Sequence, residues 1–378
     1  MRELFSKAEG FPRRFDWLLI LPAITLTLLG VLTMNTFGVG ASLAPRQLEW
    51  LVLAVFAYFA LSSLDLRFLR RKEVVFAAYA LAVALLALLL LVAHKVMGAK
   101  SWFLLGGFSF QPADFAKLAL VMLLSKYLSR RHVDIAQLKH VIISGLYAAA
   151  LILLVLVQPD LGTAVILSAV WLGMMLVSGI SKKHLALVAL AGIVAAAGFW
   201  SLGLHDYQRT RIVAFLNPAA DIRGAGYNAY QATVAVGSGE WLGKGIGYGT
   251  QSKLRFLPEY ETDFVFAAFA EEWGFVGVLL LLLLYGLLLA RLIDIAKRAA
   301  TNFDAFFTLG VALVLMAHLF IHAGINLGLL PVTGTTIPFM SSGGSHLLME
   351  FAALGIVSSL ARHGRSVSRS LAGQEYIG

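Results

Sequence analysis

The 378-residue sequence contains no cysteine, which excludes disulfides and thiolate metal sites. Charge is scarce as well: Asp, Glu, Lys and Arg make up 13% of the chain, against about 25% in ordinary soluble domains. There is no HExxH zinc motif, no repeat at a fixed period and no inverted repeat in the hydropathy. The first apolar run, from about Asp16 to Thr36, is too long for a signal-peptide core and no small-residue cleavage site follows it, so it is expected to be retained.

Apolar residues are what the chain has in excess. They make up 59% of it, and mean hydropathy is +0.82. Runs of about 20 apolar residues recur along the whole length, as membrane-crossing helices require. The spans fall near 16–36, 46–64, 74–95, 112–129, 141–157, 160–180, 184–204, 263–290, 304–328 and 345–362. The predicted fold is therefore an all-α polytopic integral membrane protein of about ten transmembrane helices, with a large loop at 204–262 between the seventh and the eighth. Pro159, within Gln158-Pro159-Asp160, splits one overlong run into two helices joined by a tight turn.

Orientation follows from the basic residues. With the N-terminus in the cytoplasm, inner segments hold about 20 of the 30 Lys and Arg residues, among them Arg67, Arg70, Arg71, Lys72, Lys182, Lys183, Arg291 and Arg362. Both ends are then cytoplasmic and the 204–262 loop is extracytoplasmic. Residues 1–365 read as one membrane-embedded domain and 366–378 as a polar, unstructured cytoplasmic tail. The net charge of +9 fits loops lying against anionic lipid, not nucleic acid.

The chemistry-bearing stretch is Gly237 to Gly277, where a polar, glycine-rich loop runs straight into an apolar helix. Thr262 is an N-cap type of residue, which would put Asp263 in the first helical turn, where the helix dipole favours an ionised carboxylate. With Glu259 and Glu261 just before it, Asp263 is a candidate general base; the plainer reading makes it a helix cap. Gly243, Gly245, Gly247 and Gly249 alternate around Lys244. This is no P-loop, since Ser238 stands where the first glycine belongs and Gly245 follows the lysine. A flexible turn or a backbone nest for phosphate remains. Arg209, Arg211, Arg223, Lys244, Lys253 and Arg255 make the loop basic enough to hold a pyrophosphate or to meet lipid headgroups. Residues 226–236 suit a short surface helix.

Within the spans, Asp114 and Lys117 are three apart on one helix face and can pair there. Ionisable groups at that depth are functional candidates by default, with a structural pin as the alternative. His318 with His322, and His346 with Glu350, have the four-residue spacing of metal ligands, without an accompanying motif. Glu271 and Glu272 lie two turns or more beyond Asp263, where at least one is expected to face the bundle interior.

Five ordered motifs resemble the SEDS family of shape, elongation, division and sporulation proteins. They are GFSFQPADFAKL at 107–118, QPDLGTA at 158–164, the loop elements Tyr207-Gln208-Arg209 through Gly224 to Tyr227, the run GSGEWLGKGIGYGTQSKLRFLPEYETDF ending at Phe264, and LGLLPVTGTTIPFMSSGGS at 327–345. Gly249 to Ser252 and Phe256 to Glu259 look like the elongation, RodA-like branch. The resemblance covers nearly the whole chain. It implies a peptidoglycan glycosyltransferase in the bacterial cytoplasmic membrane, polymerising lipid II on the extracytoplasmic face. Its implied partners are a class B penicillin-binding protein, other elongation-complex proteins and membrane lipid. The family's catalytic aspartate matches Asp263; its acidic residue and lysine match Asp114 and Lys117, with Asp in place of the commoner Glu; its QPD aspartate matches Asp160. Ala270 replaces a usual glycine and Glu261 a common histidine, and a carboxylate so near the base would raise its pKa by like-charge repulsion.

The donor's α-linked pyrophosphate and the β product require inversion, hence one base for the acceptor hydroxyl and cations for the leaving group. Asp263 would be the base, and Arg209, Arg211 and Lys244 candidate cations, with Glu259, Asp114, Lys117 and Asp160 supporting. No cofactor is implied with certainty, and a divalent cation is left open. A lipid II flippase and a scaffold for the transpeptidase are the rival classes. The topology is checked with reporters: one fused after Arg365 is expected to read cytoplasmic and one near Ala220 extracytoplasmic, and the same side for both would overturn the helix count.

Overall fold

The computed structural model describes residues 15–35, 43–92, 101–105, 108–130, 137–202, 206–217, 226–254, 256–257 and 259–374. The N-terminal basic residues, Arg223, Arg255 and the loop around Ala220 lie outside them. Helices occupy each of the ten predicted ranges: α1 (Trp17–Asn35), α2 (Leu43–Ser63), α3 (Lys72–Val92), α4 (Pro112–Ser129), α5 (Leu138–Val157), α6 (Leu161–Val177), α7 (Lys182–Leu202), α11 (Val265–Lys297), α12 (Asn302–Asn326) and α13 (Gly344–Gln374). Among the described residues, seven are long and apolar enough to cross a membrane by length and composition; α6 is apolar but shorter. The last helix runs to Gln374, past the end near residue 362 that hydropathy predicts and into the tail expected to be unstructured.

Two further features depart from a bare helix count. A short antiparallel hairpin, β1 (Phe103–Leu105) with β2 (Phe108–Phe110), pairs Phe103 with Phe110 just before α4. The 204–262 segment is itself folded, into α8 (Asp206–Leu216), α9 (Tyr227–Ser238) and the single turn α10 (Thr250–Lys253).

Local chemistry sets the helix ends. Pro112 opens α4 where its missing N–H costs nothing. Asp160 caps α6 by accepting from the Thr163 N–H at 2.9 Å, and Thr301 caps α12 by accepting from Asp304 at 3.2 Å. α13 packs along α2, α11 against α1 and α12, and α4 against α3 and α12. The core between them is apolar, with Leu86, Leu120, Leu167, Phe269 and Phe351 fully buried. Leu28, Phe56, Leu91 and Leu153 point outward and are exposed, and none of residues 182–201 of α7 is buried. Apolar faces of that extent suit lipid as the surrounding solvent.

α11 is broken at Gly274, where φ is +64° and ψ −166°. A helix continued through this point would bond the Phe275 and Val276 N–H groups to the carbonyls of Glu271 and Glu272. Residues 240–245 take those places instead. Phe275 N–H donates to Glu240 O at 2.8 Å and Val276 N–H to Trp241 O at 3.1 Å, while Glu271 O and Glu272 O accept from Lys244 N at 2.9 Å and Gly245 N at 3.1 Å. The glycine-rich stretch is thus spliced into the helix ladder. A Cβ on Gly274 would lie 2.2 Å from Gly243 N, and one on Gly243 would lie 2.0 Å from Glu272 O. Because these N–H groups are already bonded, the stretch is neither a free turn nor a phosphate nest.

Gly274→Ala should therefore cost about 1–3 kcal/mol from its backbone conformation alone, with the clash added. The expected result is a lower melting temperature together with faster tryptic cleavage near Lys244 and Lys253. Unchanged melting and cleavage would show that the splice does not hold the loop.

Candidate active site

Asp263 lies in the turn that delivers the chain to α11, just outside the helix. The helix begins at Val265, and Phe264 occupies the cap position without a side-chain bond. This corrects the expected arrangement of Thr262 as cap and Asp263 in the first turn. The capping role passes to Asn326, buried at the end of α12: its Oδ1 accepts from the Ala267 N–H at 3.0 Å, and its Nδ2 donates to Asp263 O at 3.0 Å. Ala267 is the third helical residue, the N–H that a local cap would have taken.

The turn itself folds around Glu259, whose φ is +52° and whose carbonyl accepts from the N–H groups of Thr262, Asp263 and Phe264. Its outer strand is pinned by the turn before α13. Ser341 Oγ donates to Thr262 O at 2.7 Å and Ser342 N–H to Glu261 O at 2.9 Å. Gln47 of α2, buried, holds that turn in place by donating to Ser341 O and accepting from Gly343 N–H, both at 3.2 Å.

Beside Asp263 is a cavity of about 300 Å³. Asp114, Lys117, Asp160, Arg211, Glu259 and Asp263 all line it, joined by Trp102, Gln208, His318 and His346. Residues 331–336 close one side. A Cβ on Gly334 would lie 3.5 Å from Asp263 Oδ2, and one on Gly162, at the start of α6, would lie 2.6 Å from Thr335 Cγ2. The Asp160 end of α6 and the Asp263 turn therefore flank the same irregular segment. Asp160 accepts from both the N–H and the hydroxyl of Thr163.

Burial is the main reason that the Asp263 carboxyl is pushed up to about 6, and the charge of Glu259 adds to it. Arg211 and the Thr262 hydroxyl pull the other way. The neighbouring carboxylate that matters is Glu259, not Glu261 as the sequence spacing suggested. A base whose pKa lies near the working pH combines deprotonation with proton affinity.

At the inner end of the cavity Asp114 and Lys117 pair at 2.8 Å, both buried. Asp114 Oδ1 also accepts from His346 Nδ1 at 3.0 Å, and His346 Nε2 lies 2.9 Å from Glu350 Oε1. Glu350 Oε2 in turn accepts from the Phe339 N–H at 2.7 Å. His318 donates from Nδ1 to Thr336 O at 3.0 Å, which leaves Nε2 to accept from Lys117 at 2.9 Å. His322 likewise donates to Thr335 O at 2.7 Å. His318, His322 and Glu350 thus bond irregular backbone inside the bundle, where unpaired polar groups cost several kcal/mol, and His346 lies between Asp114 and Glu350. Among the described residues, no group of three or more His, Asp or Glu could hold a metal ion.

Two residues expected near the site are elsewhere. Lys244 is bonded to Glu271 Oε1 at 2.7 Å, and Arg209 to Ser201 O at 3.0 Å; neither lines the cavity. Glu271 and Glu272, of which at least one was expected to face the interior, both point inward: Glu271 accepts from Thr250 N at 2.9 Å and Gln251 N at 3.1 Å, and Glu272 from Gly247 N at 2.8 Å. Both carboxylates are buried beneath the spliced loop. Sequence reasoning missed Gln47, Trp102, Asn326, Ser341 and Ser342. The polar run Thr333 to Ser345 between two apolar helices was the visible signal for the last two.

A family model described as cell cycle protein, grouping FtsW, RodA and SpoVE, matches residues 13–366. The peptidoglycan glycosyltransferase MrdB of Escherichia coli K12 is 41% identical over 277 residues, covering 72% of this chain and 74% of that one. Stage V sporulation protein E of Bacillus subtilis is 35% identical over 85% of this chain and 87% of its own length. Among solved structures, a chain of a peptidoglycan synthase complex that coordinates polymerization and crosslinking aligns over 93% of this chain and 98% of its own, with a TM-score of 0.79 at 34% identity. The Thermus thermophilus rod shape determining protein RodA aligns over 92% and 97%, with a TM-score of 0.70 at 32% identity. With the splice and the turn at Asp263 both falling inside the matched range, the chain belongs to the FtsW, RodA and SpoVE family of cell cycle proteins.

Proposed function

We propose that this chain is a peptidoglycan glycosyltransferase of the bacterial cytoplasmic membrane that polymerises lipid II for cell-wall elongation, with Asp263 as general base on the extracytoplasmic face. The observation that carries this reading is the cavity that brings Asp263 together with the cations of Lys117 and Arg211. Relatives named as peptidoglycan glycosyltransferases supply the reaction class.

In the reaction, the acceptor sugar's hydroxyl oxygen bonds to the donor's anomeric carbon as the bond from that carbon to the pyrophosphate breaks. The hydroxyl proton passes to Asp263, and the polyprenyl pyrophosphate leaves as an anion. Arg211 at the cavity wall and Lys117 at its inner end supply positive potential for that anion. Asp160 and the Asp114–Lys117 pair hold the walls. The partner is a class B penicillin-binding protein, in keeping with the neighbour that belongs to a polymerising and crosslinking complex.

Asp263→Asn tests the assignment. Polymer formed from labelled lipid II by the purified complex should fall by about 10²–10⁴-fold. The stability effect has a definite sign. A carboxyl whose folded pKa is raised is disfavoured in its charged form above about pH 6, so a neutral amide should leave the melting temperature at pH 7.5 unchanged or higher. Near-normal polymer would remove Asp263 from the mechanism, and translocation of lipid II without polymer would favour a flippase.

A further inference from the structure

A second concave site adjoins the cavity. It is a groove of about 290 Å³ whose walls include Arg46, Gln47 and Trp50 of α2, Trp102 before β1, and Gly344 at the start of α13. Trp102, Thr262, Ser342 and Gly343 line both spaces. The pinned turn that carries Asp263 is thus the partition between them, and Thr262, on the partition, immediately precedes the base.

We propose that this groove binds the acceptor saccharide, an N-acetylated amino sugar, while the Asp263 cavity takes the sugar pyrophosphate donor. The inference rests on the reading of the chain as a glycan polymerase, and it assigns the two substrates to two places. Volume is the first argument. A cavity of about 300 Å³ is at the lower end of the ~300–1,000 Å³ of small-molecule sites, so donor and acceptor together need more space than it provides.

Chemistry is the second argument. A pyrophosphate needs cations, and the cavity holds Arg211 at its wall and Lys117, already paired with Asp114, at its inner end. A neutral sugar needs a flat apolar face for its C–H groups and polar groups at the edge for its hydroxyls and amide. The groove offers two indoles, with Arg46 at its exposed rim.

The third argument is that the indole seat is built. A Cβ on Gly344 would lie 2.0 Å from Trp50 Cε2, so the ring fits only because residue 344 has no side chain. Gln47 is bonded to Ser341 and Gly343 on the partition and acts as wall. An acceptor lying on Trp50 and Trp102 would pass its reacting hydroxyl over Thr262 to Asp263. The bond change is the one already written: oxygen to anomeric carbon forms, anomeric carbon to pyrophosphate breaks, and the proton goes to Asp263.

A single-transfer assay on the full-length protein with its transpeptidase partner separates the substrates. Lipid II whose terminal N-acetylglucosamine lacks the 4-hydroxyl serves only as donor. A soluble N-acetylglucosaminyl-N-acetylmuramyl glycoside without lipid or pyrophosphate serves only as acceptor. Trp50→Ala should raise the acceptor KM about tenfold, the loss of one aromatic face, and change the donor KM less than twofold. Trp50→Phe should restore most of the acceptor affinity. Arg211→Ala should do the converse and act on the donor KM.

If Trp50→Ala lowers the yield of folded protein, Arg46→Gln at the exposed rim is read in its place, with a rise of about threefold expected in the acceptor KM. Because the acceptor has no lipid tail, a groove that held only the polyprenyl chain would leave its KM unchanged, and that result overturns the proposal. A rise confined to the donor KM overturns it equally. Absence of any product from wild-type protein would instead overturn the glycosyltransferase reading on which the proposal rests.

Discussion

The hydrogen bond from the Ser341 hydroxyl to the Thr262 carbonyl, at 2.7 Å, is the interaction on which the site depends. It joins two irregular segments that have no regular partner of their own, the turn leading into α11 and the turn leading into α13. Gln47 fixes one side of the joint and Asn326 the other. Each bond alone is worth about 0.5–1.5 kcal/mol net. Removing one leaves a carbonyl or an N–H unpaired inside the bundle, and the low surrounding dielectric raises that cost. The position of the Asp263 carboxyl is thus set by side chains from α2, α12 and the turn before α13, with little contribution from its own helix.

Irregular backbone recurs wherever the chain does chemistry, and each instance is satisfied by a dedicated group. The break at Gly274 is filled by residues 240–245. The irregular segment 331–343 is held by His318, His322, Glu350 and the Tyr285 hydroxyl, which donates to Pro338 O. This is the form that non-helical backbone must take at membrane depth, where water cannot complete the bonding. The same burial that satisfies the backbone, together with the charge of Glu259, raises Asp263.

Hydropathy and the Pro159 break made the helices legible, since both act within about 20 residues of sequence. The motif resemblance brought Asp263, Asp114, Lys117 and Asp160 to one place, and all four line the cavity. The basic loop residues were harder, because charge alone cannot say which cations are already bonded. Lys244 is held by Glu271, 27 positions further on, and Arg209 by Ser201. The alternating glycines looked like a turn because a strand spliced into a helix ladder leaves no periodic trace. Thr262 has the chemistry of a cap, yet Asn326, 59 positions beyond Ala267, took the role; propensity ranks local candidates and is silent on distant ones.

The central claim is that burial and the charge of Glu259 together tune the base. It is tested most directly by the pH dependence of kcat/KM for polymerisation, which reports the free enzyme's ionisation. Because Asp263 works deprotonated, activity should fall as pH drops, with a midpoint near 6. In Glu259→Gln the like charge is gone, and the midpoint should move to lower pH. A midpoint near 4 in the wild type, or one that Glu259→Gln leaves in place, would contradict the account.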